Sequence, residues 1–145
     1  QNAMVRGYLH TKKDFRTGCE FMKKKGISDI WYRPPWGLTN LFSWHFLRKY
    51  GMKMVLWDVM AEDWEKEATV GSIRKKCLSR VKDGSILCLH DGGRRTGGAP
   101  GAPEKTLEAL TYVIPAFKAA GYRFILPSEA YTDKRKEESL WNRKP

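Results

Sequence analysis

A chain of 145 residues, 41% of them hydrophobic, has the length of one ordinary domain and enough apolar material for a core. No apolar run approaches the roughly 18 residues of a membrane span, no signal peptide is visible, and three cysteines without a Cys-x-x-Cys pair make neither a disulfide framework nor a zinc knuckle. The 27 Lys and Arg against 16 Asp and Glu give a formal charge of +11, which raises binding to nucleic acid or another polyanion. The basic runs at Lys23 to Lys25, Arg74 to Lys76 and Lys134 to Lys136 are scattered, fall on faces away from the apolar stripes and accompany no nucleic-acid motif. They read as a solvated exterior, with no nucleic-acid partner expected.

In chain order, Gln1 to Ala3 before Met4 has the look of a cloning remnant and is set aside. Phe15, Cys19 and Met22 recur at helical spacing up to Gly26, and a strand is expected over 28–33. Phe42, Phe46 and Tyr50 mark a second helix that stops at Gly51, before a strand over 53–58. Val70, Ile73, Cys77 and Val81 mark a third that leads through Gly84 to a strand over 85–90. Leu107, Leu110, Ile114 and Phe117 form the stripe of a fourth, ended by Gly121 and followed by a strand over 122–126. From Tyr131 to Pro145 the chain is charged and aperiodic, as a solvated tail would be.

Helix, glycine, strand and polar loop thus repeat four times, which predicts an α/β fold with parallel strands joined by crossover helices. Polar clusters follow three of the strand-like runs: Arg33-Pro34-Pro35-Trp36-Gly37, Asp58 to Asp63-Trp64, and His90-Asp91. Strand ends of this kind, gathered on one face, are where α/β enzymes collect their chemistry. His90 is the most informative of these residues, because an imidazole can give or take a proton near neutrality. Position alone leaves it open between a catalytic acid and a structural histidine that ends a strand. Asp58 and Asp91 are open in the same way, between chemistry and the capping of loop amides. Cys19 and Cys77 on helical stripes and Cys88 in a strand read as buried thiols. The loop from Gly92 to Pro103 lacks the glycine spacing of a phosphate or dinucleotide fingerprint; Arg94 or Arg95 there is either an anion contact or surface charge.

The three clusters, in this order, resemble the polysaccharide deacetylases, the NodB-homology or family 4 carbohydrate esterases. Arg33-Pro34-Pro35-Trp36-Gly37 looks like the family's third motif, Asp63-Trp64 like the end of its fourth, and Leu87-Cys88-Leu89-His90-Asp91 like its fifth. The match covers about residues 26 to 127. A first motif of Thr-Phe-Asp-Asp-Gly type and a second with a His-x-x-x-His pair do not occur in the sequence, whose histidines are His10, His45 and His90. The resemblance therefore implies a partial deacetylase domain over residues 4–130, the C-terminal portion of an irregular (β/α) barrel with about four βα units, followed by the charged tail over 131–145. The open sheet edges of such a portion invite self-association.

The resemblance implies metal-dependent hydrolytic N-deacetylation of an N-acetylated polysaccharide, peptidoglycan- or chitin-like, with this chain inactive alone. In that scheme His90 protonates the departing amine, Asp63 sits beside it, and Arg33 pairs with a catalytic aspartate. Substrate is contacted by Trp36, Trp64, Cys88 and Pro35. Trp36 is open between lining the sugar groove and packing, Trp64 between a groove wall and a core aromatic, and Cys88 replaces the leucine that many relatives carry in the acetyl pocket. The implied cofactor is a divalent metal, zinc by expectation in the intact enzymes, with none expected on this chain; His10 is either a relic of a ligand or a surface histidine. The family implies an extracellular or cell-envelope setting. Two alternatives stand beside this reading: a non-catalytic glycan-binding homologue and a basic interaction module.

Overall fold

The computed structural model describes residues 7–92 and 98–130. The expectations placed on Gln1 to Ala3, on Arg94 and Arg95, and on residues 131–145 lie outside them. The chain forms two compact units, divided between Leu56 and Trp57.

The first unit contains α1 (Tyr8–Lys24), β1 (Trp31–Tyr32), a 3-10 turn at Pro35–Gly37, α2 (Leu41–Tyr50) and β2 (Lys53–Met54). Helix α2 starts where it does because of a reciprocal cap: the Asn40 side chain accepts the Ser43 amide at 2.8 Å, and the Ser43 hydroxyl accepts the Asn40 amide at 3.4 Å. It stops at Gly51, whose φ of 64° is costly for a residue with a Cβ. Phe46 and Leu47 of α2 pack on Phe15 of α1, with Tyr32, Tyr50, Met52 and Met54 around them. The expected stripe of Phe42, Phe46 and Tyr50 is therefore rotated: Ser43, Phe46 and Leu47 are buried, while Phe42 is exposed. Strands β1 and β2 pair in parallel, Trp31 opposite Lys53 and Tyr32 opposite Met54, with α2 as their crossover.

The second unit repeats the pattern with β3 (Val59–Met60), α3 (Val70–Arg80), β4 (Leu87–Cys88) and α4 (Ala102–Ala119). Val59 lies opposite Leu87 and Met60 opposite Cys88, again in parallel. A Thr69–Ser72 capping box opens α3. Its Ile73 and Cys77 pack against Ala109, Val113 and Phe117 of α4, with Ala61 and Ala68 closing the core.

Three further sequence expectations need correction. The stripe of α4 runs through Ala102, Thr106, Ala109, Val113 and Phe117; Leu107 is 68% exposed, and Ile114 is exposed too. Small residues at i, i+3 and i+4 let α4 approach α3 closely, and that contact overrides the larger side chains. The apolar run over 53–58 is not one strand: β2 takes its start and β3 begins after its end. No strand forms over 122–126. The Tyr122 amide is spent on the helix stop, donating to the Phe117 carbonyl at 3.0 Å, while the two rings meet edge-on at 5.6 Å. Phe124, Ile125 and Leu126 are left exposed. No helix of the described residues is long and apolar enough to cross a membrane.

Candidate active site

The polar cluster after β3 is built around a turn at Glu62, which has a left-handed φ of 54°. A glutamate pays for that conformation, and two cations hold it there. Glu62 pairs with Lys76 and, at 3.0 Å, with Arg80 of α3, and Arg80 Nη1 also donates to the Met60 carbonyl at 2.7 Å. Lys76 first and Arg80 second hold the Glu62 carboxyl below its ordinary range.

The turn delivers Asp63 into the interior, where it has no solvent exposure. Three donors meet it. Oδ2 accepts the His90 backbone amide at 2.7 Å and the Thr106 hydroxyl at 2.8 Å, and Oδ1 lies 2.9 Å from His90 Nδ1. A carboxylate has only lone pairs to offer, so the ring hydrogen belongs on Nδ1. In the neutral imidazole, Nε2 is then the nitrogen without a hydrogen, the atom that can take up a proton and later release it.

The His90 side chain is 39% exposed. Trp64 stands edge-on to it, with ring centroids 4.8 Å apart at 67°, and its carbonyl accepts the Ala99 amide at 2.9 Å. Asp58 does a different job. Its carboxylate accepts the Ile86 amide at 2.6 Å and the Ser85 hydroxyl at 3.0 Å, fastening the start of the segment that leads to His90. Asp91 is exposed, and Cys88 is buried in β4.

The Arg33 cluster lies in the first unit. Arg33 and Pro35 are exposed and Pro34 is buried. Trp36 is 54% exposed and has φ 53°, and Gly37 follows at φ 70°. A left-handed tryptophan is a costly conformation, and one that stands largely in solvent is not held there by core packing. Pro35 also borders a cavity of about 270 Å³ shared with Phe15, Tyr32, Asn40 and Met52. His10 is exposed on α1, and His45 is exposed on α2 with its ring edge-on to Phe46 at 4.9 Å.

The described residues contain no group of three or more His, Cys, Asp or Glu side chains able to hold a metal ion. A catalytic zinc takes about three protein ligands, so the metal that the resemblance implies does not fit what these residues supply.

No family model matches the chain. A peptidoglycan-N-acetylglucosamine deacetylase of Bacillus cereus is 31% identical over 120 residues, covering 81% of this chain and 53% of that protein. A chitooligosaccharide deacetylase of Azorhizobium caulinodans is 33% identical over 95 residues, 63% of this chain and 45% of that protein. Among solved structures, a family 4 carbohydrate esterase from Streptomyces lividans in complex with acetate superposes with a TM-score of 0.67 at 25% identity, over 85% of this chain and 59% of that one. The chain is a homologue of the polysaccharide deacetylases. This deacetylase homologue spans about half the length of the curated relatives it matches.

The resemblance implied that Asp63 sits beside His90, with Trp64 open between a groove wall and a core aromatic, and the structure has both in contact with the His90 ring. Thr106 went unnoticed. The spacing Ala102, Thr106, Ala109, Val113 was the available signal, a stripe of small residues hidden beside larger apolar ones.

Proposed function

We propose that this chain carries the proton-donating side of an N-deacetylase site for an N-acetylated polysaccharide of peptidoglycan or chitin type. The observation that carries the reading is the His90–Asp63 pair, a half-exposed imidazole held on a fully buried carboxylate. When water adds to an acetamide carbonyl and the carbon–nitrogen bond breaks, the departing amine needs a proton. His90, protonated at Nε2, gives it; Asp63 on Nδ1 holds the ring in place before and after transfer. Trp64 and the exposed Trp36 offer apolar faces of the kind sugar rings pack on. Arg33 enters as the partner of a catalytic carboxylate, on the resemblance alone.

The parallel β1–α2–β2 and β3–α3–β4 units support a portion of an irregular (β/α) barrel as the parent architecture. A zinc-type ion belongs to the proposal only through the resemblance, since the described residues supply no ligand group for it. The chain alone is accordingly expected not to turn substrate over. A glycan-binding role without catalysis is the second reading, favoured by that same lack of a ligand group together with the exposed Trp36. Self-association is proposed through the open edges of the two-stranded sheets.

The test is complementation. The chain is joined to the segment of the Bacillus cereus relative that it does not match, and acetate release from N-acetylglucosamine oligomers is measured. Release that falls about 10²- to 10⁴-fold in His90→Gln supports the proton-donor role. Release unchanged in that variant rejects it.

A further inference from the structure

We infer that Thr106 is a positioning residue, which pins the Asp63 carboxylate and through it fixes the tautomer of His90. The inference deepens the deacetylase reading and rests on it for its functional meaning. Its basis is a chain of contacts across 43 residues of sequence: Thr106 Oγ1 to Asp63 Oδ2 at 2.8 Å, then Asp63 Oδ1 to His90 Nδ1 at 2.9 Å.

The Thr106 hydroxyl has two acceptors within reach, the other being the Ala102 carbonyl one turn back at 3.1 Å, but only one proton to give. The shorter contact leads to a carboxylate, and a charged acceptor makes the stronger bond. The proton therefore goes to Asp63 rather than into the back-bond that threonines commonly make inside helices.

Asp63 needs this anchor. Rotation about the last side-chain bond of an aspartate is broad, so a carboxylate held only by His90 can turn its plane part-way and draw its oxygen off the line to Nδ1. A hydroxyl fixed on the buried face of α4, between Ala102 and Ala109, removes that freedom by holding one oxygen, and with it the carboxylate plane, in place. Oδ1 then stays on Nδ1, and Nε2 stays the working nitrogen. Thr106 touches no substrate in this scheme; it acts through Asp63.

The experiment is ¹⁵N NMR of the histidine rings in the whole chain, with His90 assigned by its loss in His90→Gln. The unmutated chain is expected to show neutral His90 with its hydrogen on Nδ1. Thr106→Val, matched in shape, is expected to give a mixture of tautomers, and Thr106→Ser to restore the single form. A folded Thr106→Val chain with an unchanged His90 spectrum overturns the inference, as does neutral His90 carrying its hydrogen on Nε2 in the unmutated chain. If Thr106→Val does not fold, the Thr106 hydroxyl proton decides the matter in the unmutated chain: slow exchange and coupling to Asp63 support the bond, and rapid exchange overturns it. None of these readouts needs turnover, so failure of the deacetylase reading leaves them intact and their failure leaves that reading intact.

Discussion

Asp63 holds His90 twice, accepting its backbone amide at 2.7 Å through Oδ2 and meeting its ring nitrogen at 2.9 Å through Oδ1. One buried carboxylate thus fixes both where the main chain leaves β4 and how the imidazole is turned. The two partners should separate stability from chemistry. Asp63→Ala leaves buried donors unsatisfied, and hydrogen bonds to charged groups contribute about 1.5–3 kcal/mol each, so a loss of about 3 kcal/mol is expected in urea unfolding. His90→Gln, at a half-exposed position, should cost under about 1 kcal/mol.

Acid should loosen the second unit from its loop. The Ile86 amide first, and the Ser85 hydroxyl after it, hold the Asp58 carboxyl below its ordinary value of 3.8. A depressed folded value means that the stabilisation is complete above the ordinary value and is lost as pH falls through the depressed one. Asp29, held down by Lys53 and Trp31, and Glu62, held down by Lys76 and Arg80, act in the same direction. Unfolding followed from pH 5 to pH 2 should show stability falling, and Asp58→Asn should flatten the fall.

The phase of α4 gives a contrast between two apolar residues. Ile73, 1% exposed, packs in the α3–α4 core, and Leu107 is 68% exposed. Ile73→Ala should cost about 2–5 kcal/mol and Leu107→Ala under about 0.5 kcal/mol. Equal losses at the two sites, measured by denaturant unfolding, would mean that the helix is turned as its larger side chains imply.

Cys77 should be silent in the native chain. Burial, with Asp63 as a lesser cause, pushes its thiol above the ordinary range, and the residue has no solvent exposure. The thiolate is the reactive form, so modification by an aromatic disulfide reagent should wait for unfolding. Fast native reaction at Cys77 would contradict the packing of α3 on α4.

Much of the fold was legible from apolar spacing and glycine stops. Gly26, Gly51, Gly84 and Gly121 all have positive φ, and four helices lie where the periodicity placed them. The misreadings have one physical origin, that a stripe records hydrophobicity whereas burial records what can approach. Ala109 and Thr106 beat Leu107 because they let two helices close, and the 122–126 run failed as a strand once the helix stop had claimed the Tyr122 amide. In the site, His90 was legible as a histidine ending an apolar run, whereas Asp63 was separated from Asp58 and Asp91, and Trp64 put near it, only by the family resemblance. Thr106, inside a helix and chemically ordinary, becomes visible only through its distance to Asp63.

The most direct measurement is acetate release from N-acetylglucosamine oligomers by the purified chain, with and without added zinc. No release in either condition is the expected result, since the His90–Asp63 pair supplies a proton but the described residues offer no ligand group for a metal. Zinc-dependent release would contradict the account and turn attention to ligands around His10.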